Sequence, residues 1–396
     1  MLGIITFIKI IFEVKIIKNT FNDNVDFHFH KLLPNNLAER ECELEKKNIV
    51  NWFKKKYSTK INYTFSKVLS RQNYPRYCRN KILKNDIAPI ETKNIFKFIL
   101  VGFKSIVASF FELLSGSPQN AIMLHEIMLL YKIKLVPKKS LSKKYLFNNT
   151  SYIYRPLWTY EAQNLGSDII LYFYSTNIDS PMIDKISISH FYGYEIMNWP
   201  KYLVWNDAQK FFINKFNCSK AFIQKVGPIH FSDSIATVGT IPKKSIAVFD
   251  ITPYRLVQQS KILMMYDYYN YKVTREFLEK IYQVAEKNNY YIIFKQKRDL
   301  LKLGDRRYLN FVNTYSKRKN VIKIHSEVNA LNIIEKVKGV ISMPFTSTDN
   351  IARDLSIPAV YFDSTKRIQR KKDAGINNKE TIIYSVKQLD DWIKTI

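Results

Sequence analysis

The residues best suited to chemistry in this sequence gather just after short apolar runs. Asp250 follows SIAVF, with Thr252 and Arg255 beyond it. Lys295, Lys297 and Arg298 follow YYIIF, and His325 and Ser326 follow VIKI. Thr346, Ser347 and Thr348 follow GVISMPF and precede DNIARDL. One carboxylate therefore meets a group of cations and hydroxyls. That set suits transfer of a group from a phosphorylated donor. Cations and backbone N–H groups hold the leaving phosphate, and the carboxylate acts as base or nucleophile. A second carboxylate, Glu161 in WTYEAQNLG, sits among aromatic rings near a strand, where a raised pKa and acid/base work are expected. Each group also has a plainer reading: Ser and Thr cap helices, and a helical Glu pairs with a neighbouring cation.

The elements that must position these groups are legible after about residue 245. Residues 245–251, 290–294, 320–325, 339–343, 359–362 and 381–384 read as strands. Helices are expected over 274–288, 330–337 and 386–396, and after Pro344. Alternating strands and helices predict a doubly wound parallel sheet, whose carboxyl strand ends share one edge. A helix opening just past such a strand presents unpaired N–H groups and a positive dipole end, so Thr346 to Thr348 suit an anion. Dinucleotide and P-loop fingerprints are absent, and the 10 glycines form no Gly-rich loop, which argues against a nicotinamide dehydrogenase or an ATPase.

Before that region the pattern is less regular. MLGIITFIKIIFEVKIIKN is interrupted by Lys9, Glu13 and Lys15, too charged for a spanning helix. It reads as a first strand, a buried helix or a peripheral membrane contact. DFHFH places Asp26, His28 and His30 on one face of a strand, a spacing that holds a metal or simply a half-exposed strand; no metal is expected. Arg71 to Arg79 mixes cations and tyrosines in what reads as a loop. An apolar run at 95–114 is broken by Ser115 to Pro118, and a helix carrying His125 and Glu126 is expected over 121–131. Trp158 to Leu165 reads as a helix ended by Gly166, Asp168 to Tyr174 as a strand, and Phe222 to Val226 as another. Few helical or strand signals span 230–242, which divides the chain into 1–235, with 1–90 unassigned, and 236–396.

The 396 residues are 46% hydrophobic and 14% aromatic, ample for two cores and unlike a disordered chain. The formal net charge is +28, which suits a polyanionic neighbour: nucleic acid, an anionic bilayer or phosphorylated substrates. The excess is lysine scattered among Asn and Ile, a pattern that A/T-rich codons also produce. Three cysteines, Cys42, Cys78 and Cys218, form no disulfide or zinc spacing and fit a reducing cytoplasm.

VGPIHFSD, IAVFDITP, YYIIFKQKRD and VISMPFTSTDNIARDLSIPAVYFD resemble a group of bacterial surface-polysaccharide biosynthesis proteins. These are GT-B-type glycosyltransferases, among them the retaining β-Kdo transferases of glycosyltransferase family 99. The resemblance is best over 152–363 and weak before Ile95. It implies two Rossmann-like α/β domains with a cleft between them, an acceptor-side N-terminal one and a nucleotide-sugar-binding C-terminal one. It further implies a donor activated as a CMP-sugar, Kdo or a related keto-sugar, serving lipopolysaccharide O-antigen or capsule. The donor phosphate would meet Ser347 and Thr348, with Thr346, His325 and Lys295, Lys297 or Arg298 nearby. Asp250 matches the aspartate that carries the sugar, facing the cleft, and Glu161 would activate the acceptor hydroxyl. A double displacement of this kind needs two carboxylates, as in retaining glycosidases. No metal or other cofactor is expected. The acceptor would be lipid-linked or an oligosaccharide, with a cytoplasmic enzyme held peripherally on anionic membrane.

Two other readings fit the same residues. An inverting nucleotide-sugar transferase would use Asp250 or Glu161 as its single base. A basic nucleic-acid-binding protein would explain the charge and the tyrosines, but the cations are spread along the chain and no helix-turn-helix, RRM or zinc signature appears, so no nucleic-acid partner is expected.

Overall fold

The computed structural model describes residues 2–16, 25–32, 49–57, 62–66, 82–83, 87–149, 152–176, 181–187, 196–216, 220–229, 238–255, 268–296, 303–326, 328–370 and 381–396. Cys42, Cys78, Cys218, the 71–79 stretch, Lys297 and Arg298 lie outside the described residues.

The first half contains α1 (Leu2–Ile16), β1 (Phe27–Phe29), α2 (Ile49–Tyr57), β2 (Tyr63–Ser66), β3 (Ile82–Leu83), α3 (Ile95–Leu114), α4 (Pro118–Ile122), α5 (Leu124–Leu135), β4 (Lys144–Asn148), α6 (Trp158–Asn164), β5 (Asp168–Tyr172), β6 (Pro181–Ile183), β7 (Ile186–Ser187), β8 (Lys201–Val204), α7 (Asp207–Phe216) and β9 (Phe222–Lys225). The second half contains β10 (Ser245–Phe249), α8 (Tyr271–Lys287), β11 (Tyr291–Lys295), α9 (Arg306–Tyr315), β12 (Val321–Ile324), α10 (Ala330–Ile334), β13 (Gly339–Ser342), α11 (Ser347–Asp354), β14 (Ala359–Phe362), β15 (Ile368–Arg370), β16 (Ile382–Ile383) and α12 (Val386–Ile393).

Two parallel sheets result, each the centre of a Rossmann-like α/β domain. The first runs β3-β2-β1-β4-β5-β8-β9 and the second β12-β11-β10-β13-β14-β16. Every pairing within them is parallel. Both orders reverse direction once, between β1 and β4 and between β10 and β13. Those are the topological switch points, where open α/β sheets leave a crevice at the carboxyl ends of their strands.

Local sequence accounts for the elements. β10 is buried at all of its positions, as a strand covered on both faces must be. In α8, Val273, Phe277, Ile281, Val284 and Ala285 recur at helical spacing and are buried, and the Asn270 side chain caps the helix by accepting from Val273 N–H at 3.0 Å. The 121–131 helix begins later than expected. Pro118 starts the short α4, and α5 starts afresh at Leu124.

The division near 235 falls among residues that are not described. The described strands of the two parallel sheets lie on either side of it, and a small third sheet, β15-β6-β7, joins the two halves of the chain. β6 and β7 pair antiparallel, and β6 pairs antiparallel with β15. Ile183 is buried in the second domain's core. Arg367 grips Asp184 across this junction through several N–H donors at 2.8–3.1 Å. A hairpin from the first half of the chain thus completes the second domain.

Candidate active site

Asp250 and the PFTST turn leave adjacent strands at the second switch point. Phe249 of β10 pairs with Ser342 of β13, and Met343 N–H donates to the Phe249 carbonyl at 3.0 Å. The two groups therefore share one edge, as the strand reading required. Lys295 ends the next strand and pairs with Phe249; its ammonium donates to the Gln296 carbonyl at 3.4 Å and lies within electrostatic reach of Asp250.

Asp250 does not face an open cleft as expected. It is 1% exposed, and Tyr308 of α9 donates its phenolic hydrogen to Oδ2. Gln296 Nε2 reaches the same phenol oxygen at 3.3 Å. Burial and the neighbouring carboxylate together push the Tyr308 phenol well above its ordinary pKa, so it stays protonated. Burial lowers Lys295 to about 8, and the charge of Asp250 partly offsets that fall. At neutral pH Lys295 is therefore mostly a buried ammonium, within electrostatic reach of Asp250.

Tyr308 has no counterpart in the sequence reading, which assigns no element between the strands at 290–294 and 320–325. The signal was present: Asp305 caps the helix by accepting from Arg307 N–H at 2.8 Å, and Tyr308, Val312 and Tyr315 recur at helical spacing and are buried.

In the PFTST turn, Phe345 has a φ of 63°, a left-handed conformation that costs a non-glycine residue energy and is retained where surroundings impose it. Two tyrosines hold the turn: Tyr269 donates to the Pro344 carbonyl at 3.2 Å and Tyr361 to the Thr346 carbonyl at 2.9 Å. Thr346 is buried, and its hydroxyl donates to the Met343 carbonyl at 3.0 Å. Thr348 bonds Ser342 at 2.7 Å and Thr346 at 3.1 Å. These two threonines therefore brace the turn, where the sequence reading expected them to face the phosphate.

Ser347, the first residue of α11, is half-buried and meets the first domain. Its oxygen accepts from Thr176 N–H at 3.3 Å and from the Thr176 hydroxyl at 3.5 Å, which leaves its own hydrogen to donate. Gln209, fully buried, sets Thr176 in place: it donates to the Ser175 carbonyl and accepts from Trp205 N–H, both at 2.6 Å. Asn206 and Asn350 make a second contact between the domains at 3.1 Å. The carboxyl edges of the two sheets thus meet at the start of α11.

The remaining expected residues are dispersed. His325 is exposed at the end of β12, the outermost strand of its sheet. Glu161 lies in the first turn of α6, half-exposed, and among the described residues its carboxylate has no hydrogen-bond or ion-pair partner. The Asp26, His28 and His30 face is not laid out as a ligand set. Asp26 pairs with Lys143 at 2.9 Å, His28 Nδ1 with the Thr64 hydroxyl at 3.0 Å, and His30 Nε2 with the Tyr152 phenol at 2.7 Å. His30 is nevertheless well placed, since it is buried just past β1, at the first sheet's switch point. Glu126 accepts from Leu157 N–H at 2.9 Å and so caps the head of α6.

A sequence model of the family described as polysaccharide biosynthesis PFTS motif proteins matches residues 96–393, a span that includes Pro344, Phe345, Thr346 and Ser347. No curated protein matches the sequence. Among solved structures, the chain is similar to a sucrose-phosphate synthase from Thermosynechococcus elongatus, at 8% identity and a TM-score of 0.46, covering 94% of this chain and 89% of that one. It is also similar to a glycotransferase of kitacinnamycin, at 11% and 0.45, covering 94% and 90%. A third is a UDP-GlcNAc 2-epimerase from Methanocaldococcus jannaschii, at 9% and 0.43, covering 93% and 92%.

Proposed function

The chain belongs to the polysaccharide biosynthesis PFTS motif family, and we propose that it is a glycosyltransferase of GT-B type that moves a sugar from a nucleotide-activated donor. The observation that carries this reading is the meeting of two carboxyl sheet edges at Thr176 and Ser347, beside a buried carboxylate. A nucleotide sugar and its acceptor need such an arrangement, one on each sheet edge, with the reacting carbon between.

The donor is a CMP-linked Kdo or related keto-sugar, bound on the second domain. Its phosphate lies at the head of α11, where the Ser347 hydroxyl and N–H groups of the first turn donate to it. Lys295 adds a buried positive charge at the same edge. These groups neutralise the leaving phosphate without a metal. Asp250 attacks the anomeric carbon as the bond to the phosphate oxygen breaks, and CMP leaves with the electron pair. The acceptor hydroxyl then gives its proton to Glu161 and attacks the same carbon, which releases Asp250. Two inversions amount to retention. Because Tyr308 covers Asp250, the phenol must swing aside before the adduct forms.

That same burial favours a second reading, an inverting transfer in which Asp250 is structural and one base on the first domain acts alone. His30 at the first switch point is then a stronger choice of base than Glu161. One experiment separates the readings: incubation with CMP-Kdo and an oligosaccharide acceptor, with the product anomer read by NMR. Retention with a sugar trapped on Asp250 by mass spectrometry supports the first, and inversion supports the second. Absence of transfer from CMP-sugars alongside transfer from UDP-sugars would overturn the donor assignment.

A further inference from the structure

The helices α1 and α3 of the first domain expose many large apolar side chains. In α3, Phe96, Leu100, Phe103, Val107, Phe110 and Leu114 recur at alternating spacings of four and three and are all exposed, Phe96 to 81%. That is one apolar stripe along the whole helix. Only Phe98 and Gly102 of α3 are buried. The neighbouring helix α1 exposes Leu2, Ile5, Ile8 and Phe12 in the same manner. A stripe of this size on two adjacent helices marks an interaction surface.

The rim indicates what covers it. Lys97 and Lys104 are exposed and lie about a quarter-turn from the α3 stripe by helix geometry. Lys9 is exposed beside the α1 stripe, with its ammonium 4.0 Å from the Glu13 carboxylate. The acids are turned away: Glu13 is buried against Lys132 at 2.7 Å, and Glu112 accepts from Asn120 at 2.8 Å. An apolar stripe bordered by lysines is the pattern of a helix lying in a membrane interface, its lysines reaching to anionic headgroups. No helix among the described residues is long and apolar enough to cross a membrane. We propose that the outer faces of α1 and α3 seat this protein on an anionic lipid bilayer, with both helices lying in the plane of the headgroups.

The helix directions decide what this docking brings to the surface. Thr6 meets His125 at 2.8 Å and Glu13 meets Lys132, so α1 runs parallel to α5. Asn94 donates to the Leu135 carbonyl at 3.0 Å, so α3 starts where α5 ends and runs antiparallel to it. The start of α5 is at the carboxyl edge, because Glu126 caps the head of α6 just beyond β4. The apolar stripe therefore extends to the edge where His30 and Tyr152 lie, and Ile122, 76% exposed, continues it. Delivery of a lipid-linked acceptor along that path rests on the proposed glycosyl transfer; the docking itself does not.

The test sediments the full chain, without donor or acceptor, with phosphatidylglycerol-containing vesicles and with pure phosphatidylcholine. The wild type is expected to pellet with the anionic vesicles. Phe103→Ser with Phe110→Ser should lower partitioning at least ~10-fold, since two buried aromatic side chains leave the interface. Lys97→Glu with Lys104→Glu should remove the preference for anionic lipid. These side chains are exposed, so melting temperatures should change little. Hydrogen exchange on the unaltered protein should show vesicle-dependent protection confined to α1, α3 and α4. A wild type that stays in the supernatant with both vesicle types overturns the proposal. So does an unchanged affinity of the phenylalanine variant, or a homodimer that the same variant dissociates while vesicles capture nothing.

Discussion

Tyr308 donates to Asp250 from a helix that packs over the end of β10, and so a carboxylate at a switch point is closed off by a phenol. Two roles for Asp250 make different demands on this bond. A nucleophile must lose it during turnover, whereas a structural acid must keep it. Tyr308→Phe is expected to change kcat under the first role and mainly melting temperature under the second. Asp250→Asn should abolish transfer while CMP still raises the melting temperature, because a ligand that binds the folded state stabilises it. Transfer surviving in Asp250→Asn would remove that aspartate from the chemistry.

Lys295 supplies a pH signature. Its folded pKa, about 8, lies below the ordinary lysine value of 10.5. Between those values the unfolded chain binds more protons than the folded one, so stability rises with pH across that window. Below about 8 the penalty for burying the ammonium is present in full, and above 10.5 it is gone. The difference between the wild type and Lys295→Met, followed by denaturant unfolding from pH 7 to 10, should shift by an amount on the order of 3 kcal/mol over the complete window. A flat difference would mean that the ammonium is not held in a dry site.

The PFTST hydroxyls should separate into two kinds. Thr348→Val removes a hydroxyl shared by Ser342 and Thr346, and about 1 kcal/mol of stability should go with it. Ser347→Ala leaves that brace intact and removes the hydroxyl proposed to donate to the phosphate. Its donor KM should rise roughly 10-fold, in line with loss of a charge-assisted hydrogen bond, and melting should fall modestly because Thr176 loses its acceptor. Equal effects of the two substitutions on KM would mean that both hydroxyls serve the donor alike.

The hairpin of β6 and β7 predicts how the chain can be cut. Ile183 is 7% exposed within the second domain's core. Ile183→Ala should cost about 2–4 kcal/mol. A fragment of residues 238–396 lacks this hairpin and leaves β15 unpaired on that side. It should aggregate or melt well below the same domain supplied with the 181–187 segment. Cooperative melting of the bare fragment at the full-length temperature would show that the hairpin is dispensable.

Much of the second domain was legible in the chain. Apolar runs such as SIAVF and YYIIF alternate with helical patterns, and backbone hydrogen bonding leaves a buried run of that length little choice but a parallel strand. From that alternation, a shared edge for Asp250, Lys295 and Thr346 to Thr348 followed. The first sheet was less visible. β1, β2 and β3 are short, and long-range pairing decides their register.

Sequence by itself determined which residues end strands, because that depends on local periodicity and on breakers such as Pro344. Tertiary structure alone decided which of those residues see solvent and which see each other. Tyr308 covers Asp250, the two threonines turn inward, and Thr176 arrives at Ser347 from the other sheet. Those are contacts between residues far apart in the chain, set by how layers pack, and no local pattern encodes them. The run at 95–114 was legible as apolar, but only the packed structure makes it α3 and leaves its outer face uncovered.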